Sequence, residues 1–364
     1  MGFRCGIVGL PNVGKSTIFN ALTSGSAAAS NYPFCTIEPN VGAVAVPDAR
    51  LLRIHNMVHS EKITYTTMEF VDIAGLVKGA SQGEGLGNQF LGHIREVDAV
   101  AHVVRCFHED NIVHVSGSVD PLRDIATIET ELLLSDLEWT KSKFERAEKL
   151  IRSQKKEAVL EAEVAKKCLD EISQGRSPAA LVWKDEQAKI FRSFNLLSAK
   201  PVLLVLNVNE AQLKQDDETT ASILKIAKER GYEAVKICGQ IESEIAQLGP
   251  EDRETFLKEM GLEESGLVRL VHQGYALLGL VSFFTAGPKE TRSWTIPLGA
   301  KAPQSAGKIH SDFEKGFIRA EVIGYDDYIA CGGEGGAKAK GLMRIEGKDY
   351  VVKDADIVLF RFNV

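Results

Sequence analysis

The stretch Gly9-Leu10-Pro11-Asn12-Val13-Gly14-Lys15-Ser16-Thr17 decides the fold of this chain of 364 residues. It matches the pattern G-x-x-x-x-G-K-[ST] and lies between a predicted strand over residues 3–9 and a predicted helix that begins at Ser16. Its glycines let main-chain amides converge on phosphate oxygens, and the amino end of the helix adds its positive dipole. The stretch therefore predicts a phosphate-binding loop in an α/β domain.

The side chains of this loop have predicted roles in binding a nucleoside triphosphate and its metal ion. Lys15 is expected to reach the β- and γ-phosphates, and the Ser16 hydroxyl is expected to ligate Mg²⁺. The residues expected to contact the nucleotide here are Asn12, Val13, Gly14, Lys15, Ser16 and Thr17.

Two further motifs favour a nucleotide switch. Asp72-Ile73-Ala74-Gly75 ends an apolar strand over residues 67–73, so Asp72 is expected to hold Mg²⁺ and the Gly75 amide to contact the γ-phosphate. Between the two motifs, Thr36 is the candidate for a loop threonine that closes on Mg²⁺ and the γ-phosphate and releases them after hydrolysis. A small-molecule kinase is the alternative enzyme, but it would need an acceptor pocket and an arginine-rich lid.

The residue that orients the attacking water is open. Leu76 stands where Ras-like GTPases carry a glutamine, and a leucine side chain can neither orient water nor transfer a proton. The candidates are His93, His102, His114 and a monovalent cation near Asn12. We favour His114, because it follows a predicted strand in a polar stretch that could reach the phosphates.

The motif that reads the base departs from the guanine-specific pattern N-K-x-D. The strand ends in Asn207-Val208-Asn209-Glu210, so valine replaces the lysine and the carboxylate is one methylene longer. Asn207 keeps an amide that could pair with an exocyclic amine, Val208 could lie against a purine, and a misplaced Glu210 acceptor would weaken guanine binding. We expect ATP to bind more tightly than GTP; a GTP-specific GTPase is the alternative.

The chain divides into three parts by its pattern of apolar residues and glycines. Apolar strands over residues 3–9, 67–73, 99–106, 201–207 and 235–238 predict a parallel sheet covered on both faces. Residues 128–199 have helical spacing and are predicted to form an inserted coiled-coil-like arm. The nucleotide-binding domain is therefore predicted at 1–127 and 200–280, and a small α+β or β-rich domain at 281–364.

Composition sets broad limits on the class of protein. The chain is 44% hydrophobic and has a net charge of −7, which is ordinary for a globular protein and argues against indiscriminate nucleic-acid binding. It has no run of about 20 apolar residues that would predict a membrane span. The six scattered cysteines are expected to be reduced thiols in a cytoplasmic protein, which we expect to be a monomer.

With these motifs in place, the chain closely resembles the YchF family of Obg-like P-loop ATPases over essentially its whole length. The stretch Gly307–Ala320, which includes Lys308-Ile309-His310-Ser311-Asp312-Phe313, is similar to the family's TGS domain, a β-grasp module. The resemblance implies ATP preference for the altered base motif, a potassium-binding role for Asn12, and a setting of ribosome association, translation control and oxidative stress. It also implies a Ras/Obg-type P-loop fold with a carboxy-terminal TGS domain.

Two basic surfaces are candidates for contact with ribosomal RNA. Residues 141–156 of the arm carry seven basic and two acidic residues, a net charge of +5, which fits either a phosphate-contacting stripe or a solvated helix face. In the carboxy-terminal domain, basic residues alternate with Phe313 and Phe317, and we expect Phe317 to lie in the core. An RNA-binding adaptor with a structural nucleotide is the alternative that is not an enzyme.

Overall fold

The computed structural model of the chain describes residues 3–24, 40–74, 86–109, 111–151 and 156–363. These residues form two compact units. The first contains Phe3–Gly42 and Glu69–Leu270, and the second contains Ala43–Met68 and Val271–Val364.

The secondary structure alternates strands and helices along most of the chain. The strands are β1 Arg4–Val8, β2 Val41–Ala45, β3 Lys62–Thr64, β4 Thr67–Asp72, β5 Ala99–Arg105, β6 Val202–Asn207, β7 Glu233–Ile237, β8 Leu280–Ala286, β9 Glu290–Pro297, β10 Phe317–Ile323, β11 Arg344–Glu346 and β12 Ile357–Phe362. The helices are α1 Lys15–Ser24, α2 Ala49–Val58, α3 Leu86–Glu96, α4 Pro121–Ile151, α5 Lys156–Ile172, α6 Asp185–Phe194, α7 Glu210–Lys214, α8 Glu218–Arg230, α9 Gly239–Gln247, α10 Pro250–Glu259, α11 Gly266–Leu277, α12 Ala302–Ile309, α13 Ser311–Lys315, α14 Tyr325–Ala330 and α15 Glu334–Ala339.

The first unit is built on the sheet of order β2-β4-β1-β5-β6-β7. Its pairs β1–β4, β1–β5, β5–β6 and β6–β7 are all parallel, which confirms the predicted α/β fold. Every residue of β5 is buried, and so are five of the six residues of β6, because helices cover both faces of the sheet. The carboxyl ends of these strands therefore meet at one edge, where Asp72, Arg105 and Asn207 are the last residues of β4, β5 and β6.

The predicted arm is a helical pair, α4 and α5, followed by α6. Its core contains Val164, Ala165, Cys168 and Ile172 of α5, packed against Leu133, Leu137 and Phe144 of α4. The 31-residue helix α4 begins at Pro121, seven residues before the predicted boundary. Asp120 accepts a hydrogen bond from the Arg123 amide at 3.1 Å, so Asp120-Pro121 forms the cap and first position of the helix.

The second unit is built on the sheet of order β11-β10-β12-β8-β9-β3. Phe283, Phe317, Ala320 and Phe360 belong to one buried cluster of this unit, so Phe317 lies in the core as predicted. The last strand of this sheet in the chain is β12, and an isolated bridge between Lys301 and Val351 precedes it.

The predicted boundary of the carboxy-terminal domain at residue 281 differs from the structure. Residues 43–68, which we assigned to the nucleotide-binding domain, belong to the second unit. The short strand β3 pairs in parallel with β9, and Leu51 and Ile54 of α2 are buried in a cluster with Phe284. A strand of three residues has too little periodicity to reveal such long-range pairing from sequence.

Two expectations from composition can be compared with the structure. Within the described residues, no helix combines the length and apolar character needed to cross a membrane. The described cysteines are free thiols; Cys5, Cys106, Cys168 and Cys238 are buried, and burial raises the pKa of Cys5 to about 12.

The buried carboxylate of Asp136 ties α4 to the segment that leads out of the arm. Asp136 accepts hydrogen bonds from the amides of Leu197 at 2.9 Å and Ser198 at 2.7 Å, and from the Ser198 hydroxyl at 2.6 Å. Burial raises the pKa of this carboxyl group, because the charged form loses its water. The Leu197 amide that faces Asp136 is buried, so it has no solvent to take the place of this carboxylate.

We predict that Asp136→Ala lowers the free energy of unfolding by about 3 kcal/mol, since it leaves buried donors without an acceptor. Urea denaturation measures the change. The exposed Asp170 of α5 provides the matched control, and Asp170→Ala should change stability by less than about 0.5 kcal/mol. Equal stability of the two variants would contradict the assigned role of Asp136.

Candidate nucleotide-binding site

The phosphate-binding loop joins β1 to α1 through two residues with positive φ, Asn12 at 63° and Gly14 at 90°. A Cβ atom on Gly14 would lie 2.1 Å from Nδ2 of Asn207, so this position requires glycine for both conformation and space. Helix α1 begins at Lys15, and the Ile18 amide donates to the Gly14 carbonyl at 3.1 Å. The first amides of α1 lack partners within the helix and can bind an anion.

Lys15 and Asp72 come together at the carboxyl edge of the sheet. Strands β1 and β4 are neighbours, with Ile7 opposite Asp72, and the Lys15 ammonium group pairs with the Asp72 carboxylate. The two side chains are 12% and 18% exposed, so this ion pair lies at the mouth of the loop. Ser16 and Thr17 are exposed at the start of α1. A triphosphate could bind the Lys15 ammonium group, and a divalent cation could bind the Asp72 carboxylate, in place of the contact between the two side chains.

The oxygen donors of this region fit Mg²⁺. Asp72 offers a carboxylate and Ser16 a hydroxyl, and Mg²⁺ prefers oxygen ligands together with phosphate and water. Within the described ranges, no cluster of three or more histidine, cysteine, aspartate or glutamate side chains could hold a metal ion by itself. Thr36, Gly75 and Leu76 lie outside the described residues.

The amide of Asn207 joins the end of β6 to the phosphate-binding loop. Its Nδ2 donates to the Val13 carbonyl at 2.9 Å, and its Oδ1 accepts from the Gly239 amide at 3.1 Å. Asn207 is only 4% exposed. Oδ1 has a second lone pair and Nδ2 a second hydrogen, so the predicted contact of this amide with an exocyclic amine of the base stays a prediction.

The other two base-reading candidates differ in their exposure. Val208 is 2% exposed and packs in the core with Leu204 and Ile241, so its side chain cannot lie against a purine as predicted. Glu210 is exposed as the first residue of α7 and pairs with Lys214 at 2.9 Å. Glu210 is therefore the base-reading candidate whose side chain is exposed in this conformation.

His114 has a structural role, which corrects the prediction that it is catalytic. Its Nδ1 accepts a hydrogen bond from the Ser116 amide at 3.2 Å, so Nε2 carries the proton and donates to Asp124 at 2.9 Å. Burial raises the pKa of the Asp124 carboxyl group. His114 is 5% exposed and both ring nitrogens are bonded, so it is not placed to orient a water molecule.

The remaining candidates for water orientation have different environments. His102 is buried within β5, and burial lowers its pKa to about 4, so it is neutral and away from solvent. His93 is exposed on α3. The Asn12 side chain donates to the Val113 carbonyl at 3.0 Å, which links the phosphate-binding loop to the segment before His114.

Two residues of the site were missed by the sequence analysis. Gly239 follows β7 and offers its amide to Asn207; its position directly after the fifth predicted strand was the available signal. Arg105 is buried at the end of β5, where a basic residue inside an apolar run could have indicated a special role.

We predict that Asn207→Ala weakens ATP binding by at least about tenfold and lowers the unfolding free energy by about 1–3 kcal/mol, since it unpairs Val13 and Gly239. Calorimetric titration and urea denaturation measure the two effects. Ser177→Ala is the matched control, because Ser177 also donates one bond, to Ser198 at 2.6 Å, and accepts one, from Ala179 at 3.1 Å. The control should lose stability and keep its ATP affinity; unchanged affinity in Asn207→Ala would refute the bridging role.

Comparisons with known proteins agree with this arrangement. Residues 4–134 match a family model described as 50S ribosome-binding GTPase, and residues 280–363 match the model YchF-GTPase_C, described as a protein of unknown function (DUF933). The chain is 52% identical over 367 residues to the Ribosome-binding ATPase YchF of Bacillus subtilis (strain 168), with 100% of both chains covered. It is also 52% identical over 364 residues to the protein of the same name from Escherichia coli O157:H7, again with 100% of both covered.

A solved structure extends the match to three dimensions. The structure of the Schizosaccharomyces pombe YchF GTPase is 36% identical to this chain and matches it with a TM-score of 0.89, covering 99% of this chain and 98% of the other. Full-length identity and fold both agree with the motifs from Gly9 to Thr17 and from Asp72 to Gly75. The chain belongs to the YchF family.

Proposed function

We propose that this chain is a Mg²⁺-dependent ATPase that hydrolyses the γ-phosphate of ATP as a slow switch in association with the ribosome. The observation that carries the proposal is the pairing of Lys15 with Asp72 at the mouth of a glycine-bounded loop. The names of the similar proteins from Bacillus subtilis and Escherichia coli, both ribosome-binding ATPases, support it.

The reaction follows from the charges at this edge of the sheet. Mg²⁺, when bound, would neutralise phosphate charge and orient the γ-phosphate for in-line attack by water. Lys15 would leave Asp72 for the β- and γ-phosphates, and Asp72 with Ser16 would hold the metal ion. The amides at the start of α1 would stabilise the charge that develops on the phosphate oxygens. Leu76 can neither orient the attacking water nor accept its proton, so we expect slow turnover without a partner or a cation.

We further propose that ATP is preferred over GTP and that potassium assists near Asn12. Glu210 is exposed and paired with Lys214, and it is one methylene longer than the aspartate that reads guanine. The Val113 carbonyl, 3.0 Å from Nδ2 of Asn12, is an oxygen of the kind that potassium binds. The cytoplasmic location and the monomeric state stay predictions; a ribosome partner would fit the former.

The arm and the second unit are the proposed contacts with ribosomal RNA. Lys141, Arg146 and Lys149 are exposed on α4, whereas Lys143 lies 5.0 Å from the ring centre of Trp139 and is held against the arm itself. In the second unit, His310 is exposed and lies beside Phe313, which stacks on Phe362 at 3.7 Å. The exposed basic side chains of α4 suit phosphate contact, and the aromatic pair of the second unit suits base stacking.

For the ATPase, we predict that Lys15→Ala and Ser16→Ala each lower kcat by roughly 100-fold, since each removes a group that stabilises transition-state charge or holds Mg²⁺. Phosphate release without an added acceptor is the measurement, and it also separates hydrolysis from a kinase reaction. Ser24→Ala, at the far end of α1, is the control and should keep normal turnover. Normal turnover in Lys15→Ala, or bound nucleotide that never turns over in the wild type, would refute the proposal.

For the ribosome contact, we predict that charge reversal of Lys141, Arg146 and Lys149 to glutamate reduces cosedimentation with ribosomes by at least about tenfold near physiological salt. The same reversal at Lys225, Lys228 and Lys258, which are also exposed but lie on α8 and α10, controls for net charge and should have a smaller effect. Equal losses in the two triple variants would argue against the arm as the contact.

A further inference from the structure

Arg105 is an unusual buried cation at the edge of the sheet that carries the nucleotide site. It is the last residue of β5, lies opposite Asn207 in the parallel ladder, and is 1% exposed. Its Nε donates to the Phe107 carbonyl at 3.2 Å, and its two Nη atoms donate to the carbonyls of Ile112 at 3.0 Å and Glu109 at 3.2 Å. One guanidinium group therefore collects three main-chain carbonyls of a single loop.

This loop connects the base-reading end of the site to its phosphate end. At its start, the Cys106 amide donates to the Asn207 carbonyl at 2.9 Å, and the Gln212 side chain donates to the Cys106 carbonyl at 2.9 Å. At its end, the Val113 carbonyl accepts the Asn12 side chain at 3.0 Å. The described residues of this loop, 106–109 and 111–113, thus touch β6 on one side and the phosphate-binding loop on the other.

The guanidinium group is suited to this task in a way that lysine is not. Its planar fork has donors in fixed directions, whereas an ammonium group has a single nitrogen that cannot reach three separated carbonyls in the same geometry. The Arg105 Cζ atom also lies 4.7 Å from the ring centre of Phe107, which fixes this aromatic side chain beside the loop. These three hydrogen bonds are partly buried, and losing the fork removes all of them at once, so the loop should change shape.

We propose that Arg105 is a positioning residue for the nucleotide: it holds the carbonyls of Phe107, Glu109 and Ile112 so that Val113 fixes Asn12 and, through it, the phosphate-binding loop. Arg105 acts through the loop, with its own donors occupied by carbonyls. The inference rests on the proposed function, because it takes ATP to be the occupant of the phosphate-binding loop.

The first test is ATP binding by Arg105→Lys, which keeps the charge and removes the fork. We expect the ATP dissociation constant to rise by about tenfold or more, mainly through a faster off-rate. Stopped-flow release of a fluorescent ATP analogue and calorimetric titration measure the two quantities. If Arg105→Lys does not fold, Arg105→Gln, which keeps a neutral amide donor, takes its place in the same measurements.

Lys200 offers a matched control at the opposite end of the same strands. Its Nζ donates to the carbonyls of Val97 at 2.6 Å and Arg95 at 3.4 Å, which precede β5, so it too is a cation that collects carbonyls. Burial lowers the pKa of Lys200. Lys200→Met should lower the melting temperature as Arg105→Lys does and leave the ATP dissociation constant unchanged, which separates positioning from general stability.

A double-mutant cycle with Asn12→Gly tests the route through Val113. Glycine tolerates the positive φ of residue 12, so this change removes the side chain without adding strain. We expect the double variant to bind ATP about as weakly as the weaker single variant, because both changes break the same link. Additive losses, or an Arg105→Lys variant that binds ATP like the wild type, would overturn the inference. Absence of ATP binding by the wild type would instead refute the proposed function.

Discussion

The side-chain amide of Asn207 is the interaction on which the nucleotide site depends. It binds the Val13 carbonyl and the Gly239 amide, and the close approach of Gly14 to Nδ2 leaves no space for a larger residue. One amide thereby fixes the phosphate-binding loop, the end of β6 and the start of α9 in a single arrangement. These hydrogen bonds join parts of the protein to each other and do not depend on the identity of the base. The same scaffold can therefore be adapted to another nucleotide by changing the exposed residues around it.

The fold was largely predictable because its central strands are buried on both faces. Continuous apolar runs at β5 and β6 predicted the parallel sheet, and the helical spacing of the residues between these two strands predicted the arm. The beginning of α4 was predicted too late, because the prediction used helical periodicity and not the capping sequence Asp120-Pro121. The assignment of residues 43–68 failed for a different reason: β3 pairs with β9, more than two hundred residues away, and local sequence carries no signal for that contact.

The site residues were predictable where the chemistry of the ligand requires one residue type. They were unpredictable where burial of the side chain determines whether it can reach a ligand. The spacing of Lys15 and Asp72 predicted their proximity, since a phosphate and its metal ion need a cation and a carboxylate at one place. Val208 and His114 have side chains that could serve a ligand, and only the structure places one in the core and bonds the other to Asp124. Arg105 is the converse case, a charged side chain in a buried position at the end of the apolar strand β5.

Titration of the purified protein with ATP and with GTP, each with Mg²⁺ at matched potassium, tests the central claim most directly. We predict that ATP binds more tightly by about tenfold or more, because neither Val208 nor the exposed, paired Glu210 provides the fixed acceptor that guanine requires. Tighter binding of GTP would contradict this account, since it would mean that Glu210 turns from Lys214 to read guanine and that the chain acts as a GTPase.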